Sequence, residues 1–231
     1  MEEHLWFNKF RKKKKLFVER IIEWYKKKGR HNLPWRLTRD PWKVLVAAFL
    51  LRKTTKEQVI KVYSEFIKRF PTVRDVFESS EEEIKELIRP LGIEHHRARL
   101  LKQLAEVIIT KFHGKIPGEK DKLKQLPGVG DYIASEVLCV AYNKPEPLLD
   151  RNMIRVIERV FAVKSAKRRP HTDKNLWAFA KMLIPQDPSL AKEFNYGILD
   201  FASAICTVRR PKCTLCPLND ICYYRASREK Q

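Results

Sequence analysis

Four cysteines near the C-terminus constrain this chain more than any other feature. Cys206, Cys213, Cys216 and Cys222 have the spacing C-x6-C-x2-C-x5-C, so that four thiols lie within seventeen residues. Four thiolates in so short a segment can hold a metal centre that a short helix could not support alone. Structural zinc sites usually combine two C-x2-C pairs, and this segment has only one. The spacing therefore favours an iron–sulfur cluster with four thiolate ligands, with a four-thiolate zinc site as the alternative and disulfides less favoured.

The chain is strongly basic. Its 48 Lys and Arg residues exceed its 28 Asp and Glu residues, which gives a formal charge of +20 and indicates a polyanion as partner. Residues 1–30 carry +7, residues 164–171 carry +4, and residues 206–231 carry +4. A basic run is often only a solvated surface, as residues 12–15 illustrate. Arg209, Arg210 and Lys212 differ, because they lie between the first two clustered cysteines, where metal ligation would hold them rigid.

No segment of the sequence predicts a membrane span or a signal peptide, since charges interrupt the first fifteen residues. An intracellular location is therefore expected. With 231 residues, of which 44% are hydrophobic, the chain can bury one good core or two small ones. Charged residues make up 33% of the chain, a composition common in proteins from hot environments.

Apolar residues recur at helical spacing along almost the whole chain, and no segment alternates as a strand does. The predicted class is all-α, with helices at residues 16–28, 42–52, 56–69, 81–89, 97–112, 131–142, 152–163, 174–184 and 189–205. The fifth cysteine, Cys139, lies in an apolar helical run and is interpreted as a buried thiol. Because both ends of the chain are its most basic parts, we expect them to form one domain around the middle, with a boundary near residues 144–147.

The segment Leu126-Pro127-Gly128-Val129-Gly130 directly precedes one of these helices. Two glycines around a small apolar residue let successive backbone N–H groups point outward at the helix N-terminus. That arrangement suits a phosphate, although an ordinary turn between helices is the alternative. The apolar anchor before the glycines and the basic character of the chain favour a contact to a nucleic-acid backbone rather than to bases.

Three motifs together resemble the helix-hairpin-helix DNA glycosylases of the endonuclease III superfamily. They are segment 126–130, Asp150 at twenty residues after Gly130, and the cysteine spacing. The resemblance covers residues 33–222 or nearly so. It implies a six-helix barrel domain at residues 39–145, with the helix-hairpin-helix at about 114–137. It also implies an iron–sulfur domain from residues 1–38 and 146–231, with one 4Fe–4S cluster in loop 206–222 and a DNA cleft between the two domains.

By this resemblance, Asp150 and Tyr132 are the catalytic residues. Such enzymes extrude a nucleotide and cleave the bond between base and sugar through a transition state with positive charge on the sugar. Asp150 would stabilise that charge and orient water; its alternative role, an N-cap of the next helix, is compatible with this. Bifunctional members have a lysine where this chain has Tyr132, and a phenol cannot form a Schiff base. Strand cleavage by that route is not expected, and plain helix packing is the alternative for Tyr132.

Tyrosine at this position is similar to the archaeal thymine-DNA glycosylases that act on T·G and U·G mismatches. The shared pattern extends to residues 33–36, 38–41, 50–55 and 194–197. The adenine-removing branch is the alternative, but it needs a glutamate at the position of Ala48 to protonate the leaving purine. An acid is also common there in the mismatch branch, although a pyrimidine anion leaves more readily without protonation. A DNA-binding protein that has lost catalysis is the remaining alternative, and the presence of Asp150 argues against it.

The resemblance also assigns the DNA contacts. Arg52 or Lys53 would fill the space of the extruded base, and Ile93 would wedge beside the orphaned guanine unless it lies in the core. The backbone contacts would come from Leu126, Gly128, Val129, Gly130, Arg209, Arg210 and Lys212. The expected partner is double-stranded DNA containing a mismatch, with no membrane partner. The expected protein is a monomer in the cytoplasm, associated with the nucleoid.

Overall fold

The computed structural model describes the backbone of residues 2–228 and the side chains of residues 7–228. The charges counted above at residues 2, 3, 229 and 230 lie on side chains outside this part. All regular elements within the described residues are helical, which confirms the all-α class. The α-helices there are α1 (Glu2–Lys28), α2 (Pro41–Leu50), α3 (Lys56–Arg69), α4 (Val73–Glu78), α5 (Glu81–Ile88), α6 (Glu94–Phe112), α7 (Lys120–Leu123), α8 (Asp131–Ala141), α9 (Arg151–Phe161), α10 (Lys174–Leu183), α11 (Pro188–Ala204) and α12 (Tyr223–Arg228).

Every helix that the periodicity predicts is present, and most of the predicted ends lie within two residues of the observed ones. The largest difference is α1, which begins at Glu2 rather than at residue 16. Charged residues interrupt its apolar pattern, but Lys, Arg and Glu are good helix formers. None of the described helices combines the length and apolar character that crossing a lipid bilayer requires.

Side-chain caps start several of the helices. Thr55, Thr72 and Ser80 each form a capping box, in which the hydroxyl accepts from the third helical N–H group and that residue's side chain accepts from the cap N–H group. Each box satisfies two backbone groups that a helix end would otherwise leave without partners. These local signals fix where α3, α4 and α5 begin.

The chain divides into two compact units. The terminal unit comprises the described parts of Met1–Arg30 and Pro145–Gln231, and the middle unit comprises His31–Lys144. The division therefore falls after Arg30 and Lys144, whereas the family resemblance places boundaries after residues 38 and 145. The assignment of residues 1–38 and 146–231 to an iron–sulfur domain, and of residues 39–145 to a six-helix barrel domain, stays a prediction.

The core of the terminal unit forms where α1 packs against α11. Phe17 is fully buried, and its ring meets the ring of Phe194 edge-on at 5.6 Å between centroids. At Gly197 the two helices come so close that a Cβ atom there would lie 2.9 Å from Ile21 Cγ2. Beyond the end of α1, the backbone N–H group of Arg30 donates to the buried carboxylate of Asp200 at 2.8 Å. These contacts join the first thirty residues to the last third of the chain.

The core of the middle unit is built around α2. From Val44 to Leu50 all of its side chains are buried, so this helix is apolar on every side and packs against both α3 and α8. The indole N–H group of Trp42 donates to the carbonyl oxygen of Phe70 at 3.0 Å, which satisfies the polar atom of this buried side chain. The end of α2 therefore has a fixed position, and the loop that follows it starts from a rigid base.

Gly197→Ala is expected to destabilise the protein, although alanine favours a helix over glycine by about 1 kcal/mol. The added methyl group would lie 2.9 Å from Ile21 Cγ2 and 3.2 Å from the Ile21 carbonyl oxygen, and such overpacking costs about 1–3 kcal/mol. Thermal unfolding followed by circular dichroism should give a lower Tm. Ser203→Ala, at an exposed position of the same helix, is the control and should leave the Tm almost unchanged. An equal or higher Tm for Gly197→Ala would contradict the close approach of α1 and α11.

Candidate functional site

The four clustered cysteines line one cavity in the terminal unit. Cys206 is buried and the other three are partly buried. None of the four forms a disulfide, so the disulfide alternative is wrong. The structure thus brings together the whole ligand set that the sequence predicts.

The thiols fit a metal cluster. Burial raises the pKa of Cys216 to about 12, and the charges of the other three thiolates contribute to the rise. Burial also raises the pKa of Cys222, again with a contribution from its neighbours. Bound iron would supply the positive charge that keeps such thiols ionised. In the described part of the chain no three Cys, His, Asp or Glu side chains are placed to hold a single metal ion. Four cysteine thiolates are the usual ligands of an iron–sulfur cluster.

Arg159 in the last turn of α9 holds the start of the cysteine segment. Its guanidinium donates to the carbonyl oxygens of Thr207 at 2.7 Å and Val208 at 2.8 Å, and to Cys206 Sγ at 3.3 Å. The Cys222 thiol in turn donates to the Arg159 carbonyl oxygen at 3.3 Å. Hydrogen bonds to ligand sulfur atoms orient the ligands and tune a cluster, so Arg159 would act on the cluster as well as on the loop.

The basic residues that follow Cys206 lie on a loop of defined shape. Thr207 Oγ1 donates to the Arg210 carbonyl oxygen at 2.7 Å, and the Lys212 N–H group donates to the Ile205 carbonyl oxygen at 2.9 Å. The side chains of Arg209, Arg210 and Lys212 are exposed. The loop therefore presents three cations to solvent, and their contact with a DNA backbone stays a prediction.

Helix α1 also reaches the cysteine segment. Arg20 donates to the Pro217 carbonyl oxygen at 3.0 Å and forms an ion pair with Asp220, whose pKa is lowered by this hydrogen bond. Lys13 donates to the Val160 carbonyl oxygen at 2.6 Å, at the end of α9. Arg20 thus braces the segment that the last cysteines occupy, and Lys13 holds the end of α9.

Asp150 is the N-cap of α9, as one of its two interpretations predicts. Its Oδ1 atom accepts from the backbone N–H groups of Asn152 and Met153, both at 2.8 Å, and its Oδ2 atom accepts from Asn152 Nδ2 at 2.7 Å. Burial raises the pKa of Asp150 above its ordinary value of 3.8, while these hydrogen bonds and Arg155 oppose the rise. The result is a carboxyl group of fixed position whose charge is poorly solvated.

A chain of hydrogen bonds connects this carboxyl group with the cysteine segment. Arg155 Nη2 donates to Asn152 Oδ1 at 3.0 Å, and Arg155 Nε donates to the Cys206 carbonyl oxygen at 2.9 Å. Sequence analysis missed Asn152, Arg155 and Arg159. Their spacing places all three on one face of α9, which is the signal that could have identified them.

The glycine segment of the middle unit forms a tight turn before α8. Gly128 has a φ of +77°, and a Cβ atom there would lie 2.7 Å from Phe49 Cζ, so neither the backbone nor the space admits a side chain. Gly130 is the N-cap of α8 and provides no side-chain cap for its first N–H groups. Leu126 and Val129 are buried. Their backbone N–H groups donate to the carbonyl oxygens of Leu123 and Leu126, both at 3.0 Å. The phosphate contact predicted for these two residues is therefore not available through either their side chains or their N–H groups.

The residues predicted to enter DNA lie on two exposed segments of the same unit. Ile93 is 59% exposed, so the alternative that it is a core residue is wrong. Ile93 and Lys53 both have left-handed backbones, with φ of 55° and 54°. The guanidinium of exposed Arg52 lies 5.5 Å from the ring centroid of Phe49 and donates to the Gly128 carbonyl oxygen at 3.3 Å. Arg52 thus connects the loop after α2 with the glycine turn.

Tyr132 lies in the first turn of α8 and is partly exposed. Ala48 is buried in α2, which packs against α8. Its methyl side chain supplies no carboxyl group at this position. Glu136, one turn after Tyr132 on α8, is a buried acid that sequence analysis did not single out. It lies in an otherwise apolar stretch of the helix, and none of the motifs described above includes it.

Comparison with known families accounts for both units. The family model described as HhH-GPD superfamily base excision DNA repair protein matches residues 46–182. The chain belongs to this superfamily. DNA is therefore the macromolecular partner of this HhH-GPD protein. A second model, the iron-sulfur binding domain of endonuclease III, matches residues 206–222, the segment of the four cysteines. The cofactor is a 4Fe–4S cluster.

Similar proteins match this HhH-GPD protein over nearly its whole length. Thymine/uracil-DNA glycosylase of Pyrobaculum aerophilum is 60% identical over 215 residues, covering 93% of this chain and 94% of that protein. Thymine-DNA glycosylase of Aeropyrum pernix is 62% identical over 205 residues, covering 89% of this chain and 92% of that protein. The solved structure of a thermostable thymine-DNA glycosylase is 35% identical, with a TM-score of 0.89 over 94% of this chain and 99% of that one.

Native protein is expected to be brown and to contain about four iron and four sulfide per chain. Iron and sulfide analysis together with the visible absorption spectrum measures this. Cys213→Ser removes one ligand and should lower the iron content. Cys139→Ala, which removes the cysteine of the middle unit, should leave the iron content unchanged. One zinc per chain without sulfide would contradict the cluster assignment.

Proposed function

We propose that this protein is a monofunctional DNA glycosylase that hydrolyses the N-glycosidic bond of thymine or uracil mispaired with guanine. The observation that carries the proposal is the near full-length identity with the thymine/uracil-DNA glycosylase described above. The position of Asp150 agrees with the chemistry. The protein acts as a monomer on mismatched double-stranded DNA, in the cytoplasm where the nucleoid lies.

Asp150 stabilises the sugar cation. The bond between base and sugar breaks with positive charge on the sugar, and a carboxylate close to that carbon lowers the barrier. Hydrogen bonds from the first turn of α9 hold the carboxylate in one orientation, so it need not reorganise during the reaction. Poor solvation strengthens its interaction with a nearby cation, because water screens it less.

Separate segments hold the DNA in this proposal. The turn of Gly128 and Gly130 contacts a phosphate with backbone N–H groups, next to the N-terminus of α8. Arg52 or Lys53 fills the space of the extruded nucleotide, and Ile93 wedges beside the unpaired guanine. Arg209, Arg210 and Lys212 contact the DNA backbone at a distance from the reacting base.

Purified protein is expected to release base from duplexes with T·G and U·G mismatches, and not from A·G or from adenine opposite 8-oxoguanine. The reason is that no carboxyl group is present at Ala48 to protonate a leaving purine, whereas a pyrimidine anion needs this help less. Single-turnover assays followed by alkali measure release. Faster release of adenine would overturn the thymine assignment and favour the adenine branch.

Asp150→Asn tests this role, since it keeps the size and capping ability of Asp150 but removes the charge. Base release should fall by at least about a hundredfold, the scale of losing one positioned charge stabiliser, while binding to mismatched DNA survives. Because burial raises the pKa of Asp150, its charge is lost on acidification at a pH above its ordinary 3.8. As the pH is lowered, base release by the unmodified protein should therefore begin to decline at a pH above 3.8. Near-normal release by Asp150→Asn would show that Asp150 is only a helix cap. If the unmodified protein released no base from any duplex, it would be a non-catalytic DNA-binding protein.

Tyr132 is expected to make the enzyme monofunctional. Without an amine at this position the product should be an intact abasic site, with strand breaks only after alkali or heat and with little covalent complex trapped by borohydride. Tyr132→Lys supplies the amine and should produce both trapping and nicking. Tyr132→Phe, which adds no amine, is the control. Substantial trapping by the unmodified protein would overturn the monofunctional assignment.

A further inference from the structure

Arg97, in the first turn of α6, is a buried arginine that binds the backbone of distant residues. It is only 8% exposed. Its Nε donates to the Gly92 carbonyl oxygen at 3.0 Å, and its Nη2 donates to the Arg52 carbonyl oxygen at 2.5 Å and to Thr54 Oγ1 at 2.6 Å. Its Nη1 donates to the carbonyl oxygens of Phe49 at 3.2 Å and Leu50 at 3.4 Å. All these acceptors are neutral, so the contacts fix geometry and do not neutralise the charge.

Two of the acceptors control the backbone at the DNA-directed residues. The carbonyl oxygen of Arg52 belongs to the peptide plane that precedes Lys53, and that of Gly92 belongs to the plane that precedes Ile93. The φ angle of a residue is a rotation relative to the plane before it, so holding that plane favours one φ. Lys53 and Ile93 have φ of 54° and 55°, which L-residues adopt rarely and β-branched isoleucine most rarely. Such conformations persist only where the surrounding structure holds them.

The other acceptors lie at the end of α2. The last carbonyl groups of a helix lack partners within it, and Arg97 binds those of Phe49 and Leu50. A cation at a helix C-terminus is also favoured by the helix dipole. The guanidinium therefore anchors the loop after α2 at its base as well as at Arg52, and it holds the turn of Gly92 with the same rigid plane.

We propose that Arg97 is a positioning residue that couples the plug, Arg52 and Lys53, to the wedge, Ile93. The coupling rests on the proposed roles of these residues in entering DNA. A single planar group holds both segments, so their relative position is fixed before DNA binds. The plug and the wedge then enter the duplex as one body and favour DNA from which one nucleotide has already left the stack.

The hydrogen bond from Arg52 to Gly128 extends this body to the phosphate-binding turn. Space at that turn is short, because a Cβ atom on Gly128 would lie 3.0 Å from Arg52 Nη1. The turn has its own backbone hydrogen bond, from the Val129 N–H group to the Leu126 carbonyl oxygen at 3.0 Å, so it keeps its shape when the loop moves. Arg97 thus positions the plug and the wedge while its own side chain stays buried.

Arg97→Lys tests this proposal, because an ammonium keeps the charge but cannot reach both segments with a fixed plane. Equilibrium binding is measured on a duplex with a stable abasic-site analogue opposite guanine and on the same duplex fully paired. The plug and the wedge enter only the duplex with a vacated position, and displacing such interface anchors should lower affinity for the abasic duplex by about 10- to 100-fold. Affinity for the paired duplex should stay within about twofold, since phosphate contacts dominate it. Arg99→Lys, an exposed arginine of the same helix, is the control and should alter neither affinity.

A double-mutant cycle separates positioning from a general loss of stability. If Arg97 acts through the wedge, Arg97→Lys should cost little further affinity for the abasic duplex once Ile93→Ala is present. Thr54→Val, which removes one acceptor and leaves Arg97 intact, should show a smaller loss with the same selectivity, and it serves if Arg97→Lys does not fold. Equal losses on both duplexes, or full additivity with Ile93→Ala, would overturn the coupling.

The readout is independent of base release. If the unmodified protein releases neither thymine nor uracil but Arg97→Lys loses selectivity for the abasic duplex, the proposed function fails and the coupling stands. If release from T·G is found and Arg97→Lys keeps its selectivity, the coupling fails and the proposed function stands.

Discussion

The terminal unit depends on the hydrogen bonds by which α9 holds the cysteine segment. Arg155 and Arg159 bind the carbonyl groups of Cys206 to Val208, and Arg159 also binds the first ligand sulfur atom. Arg159 lines the cavity together with the thiols. At the other end of the same helix, Asp150 caps the first turn. An α-helix transmits position well, because its backbone hydrogen bonds allow little change of length. The metal centre therefore helps to define where the proposed catalytic carboxylate lies.

Most of the fold could be predicted from the sequence because the helices are long and amphipathic. The apolar spacing located the helices from α2 to α11 that have eight or more residues, and the Ser80 and Asp150 caps marked two starts. The short helices α4, α7 and α12 were missed, since fewer than two turns give no measurable period. The first half of α1 was missed for another reason. Its charges interrupt the apolar pattern, although Phe10 packs against the rings of Phe161 and Phe179 and its many Lys and Arg residues favour a helix.

The candidate site divides in the same way. The four cysteines and the glycine turn were predictable because each lies within a short segment with characteristic spacing. Arg97 was not, since most of its partners are backbone carbonyl groups remote in sequence, which leave no residue pattern. For Arg155 and Arg159 the shared face of α9 was the one signal. The exposure of Ile93 was predictable only through the family resemblance. It follows from a left-handed turn after Gly92 that turns this apolar side chain towards solvent.

The pairing of α1 with α11 has a consequence for synthesis on the ribosome. Helix α1 is made before residues 31–144, whereas its packing partner α11 and the cysteine segment that it braces are made after them. Residues 31–144 form a compact unit without either end, so they can fold while α1 waits. During that interval the apolar face around Phe17 and Ile21 has no partner. The many charges of α1 favour its solubility until α11 is made, which is a role for its lysine residues besides any contact with DNA.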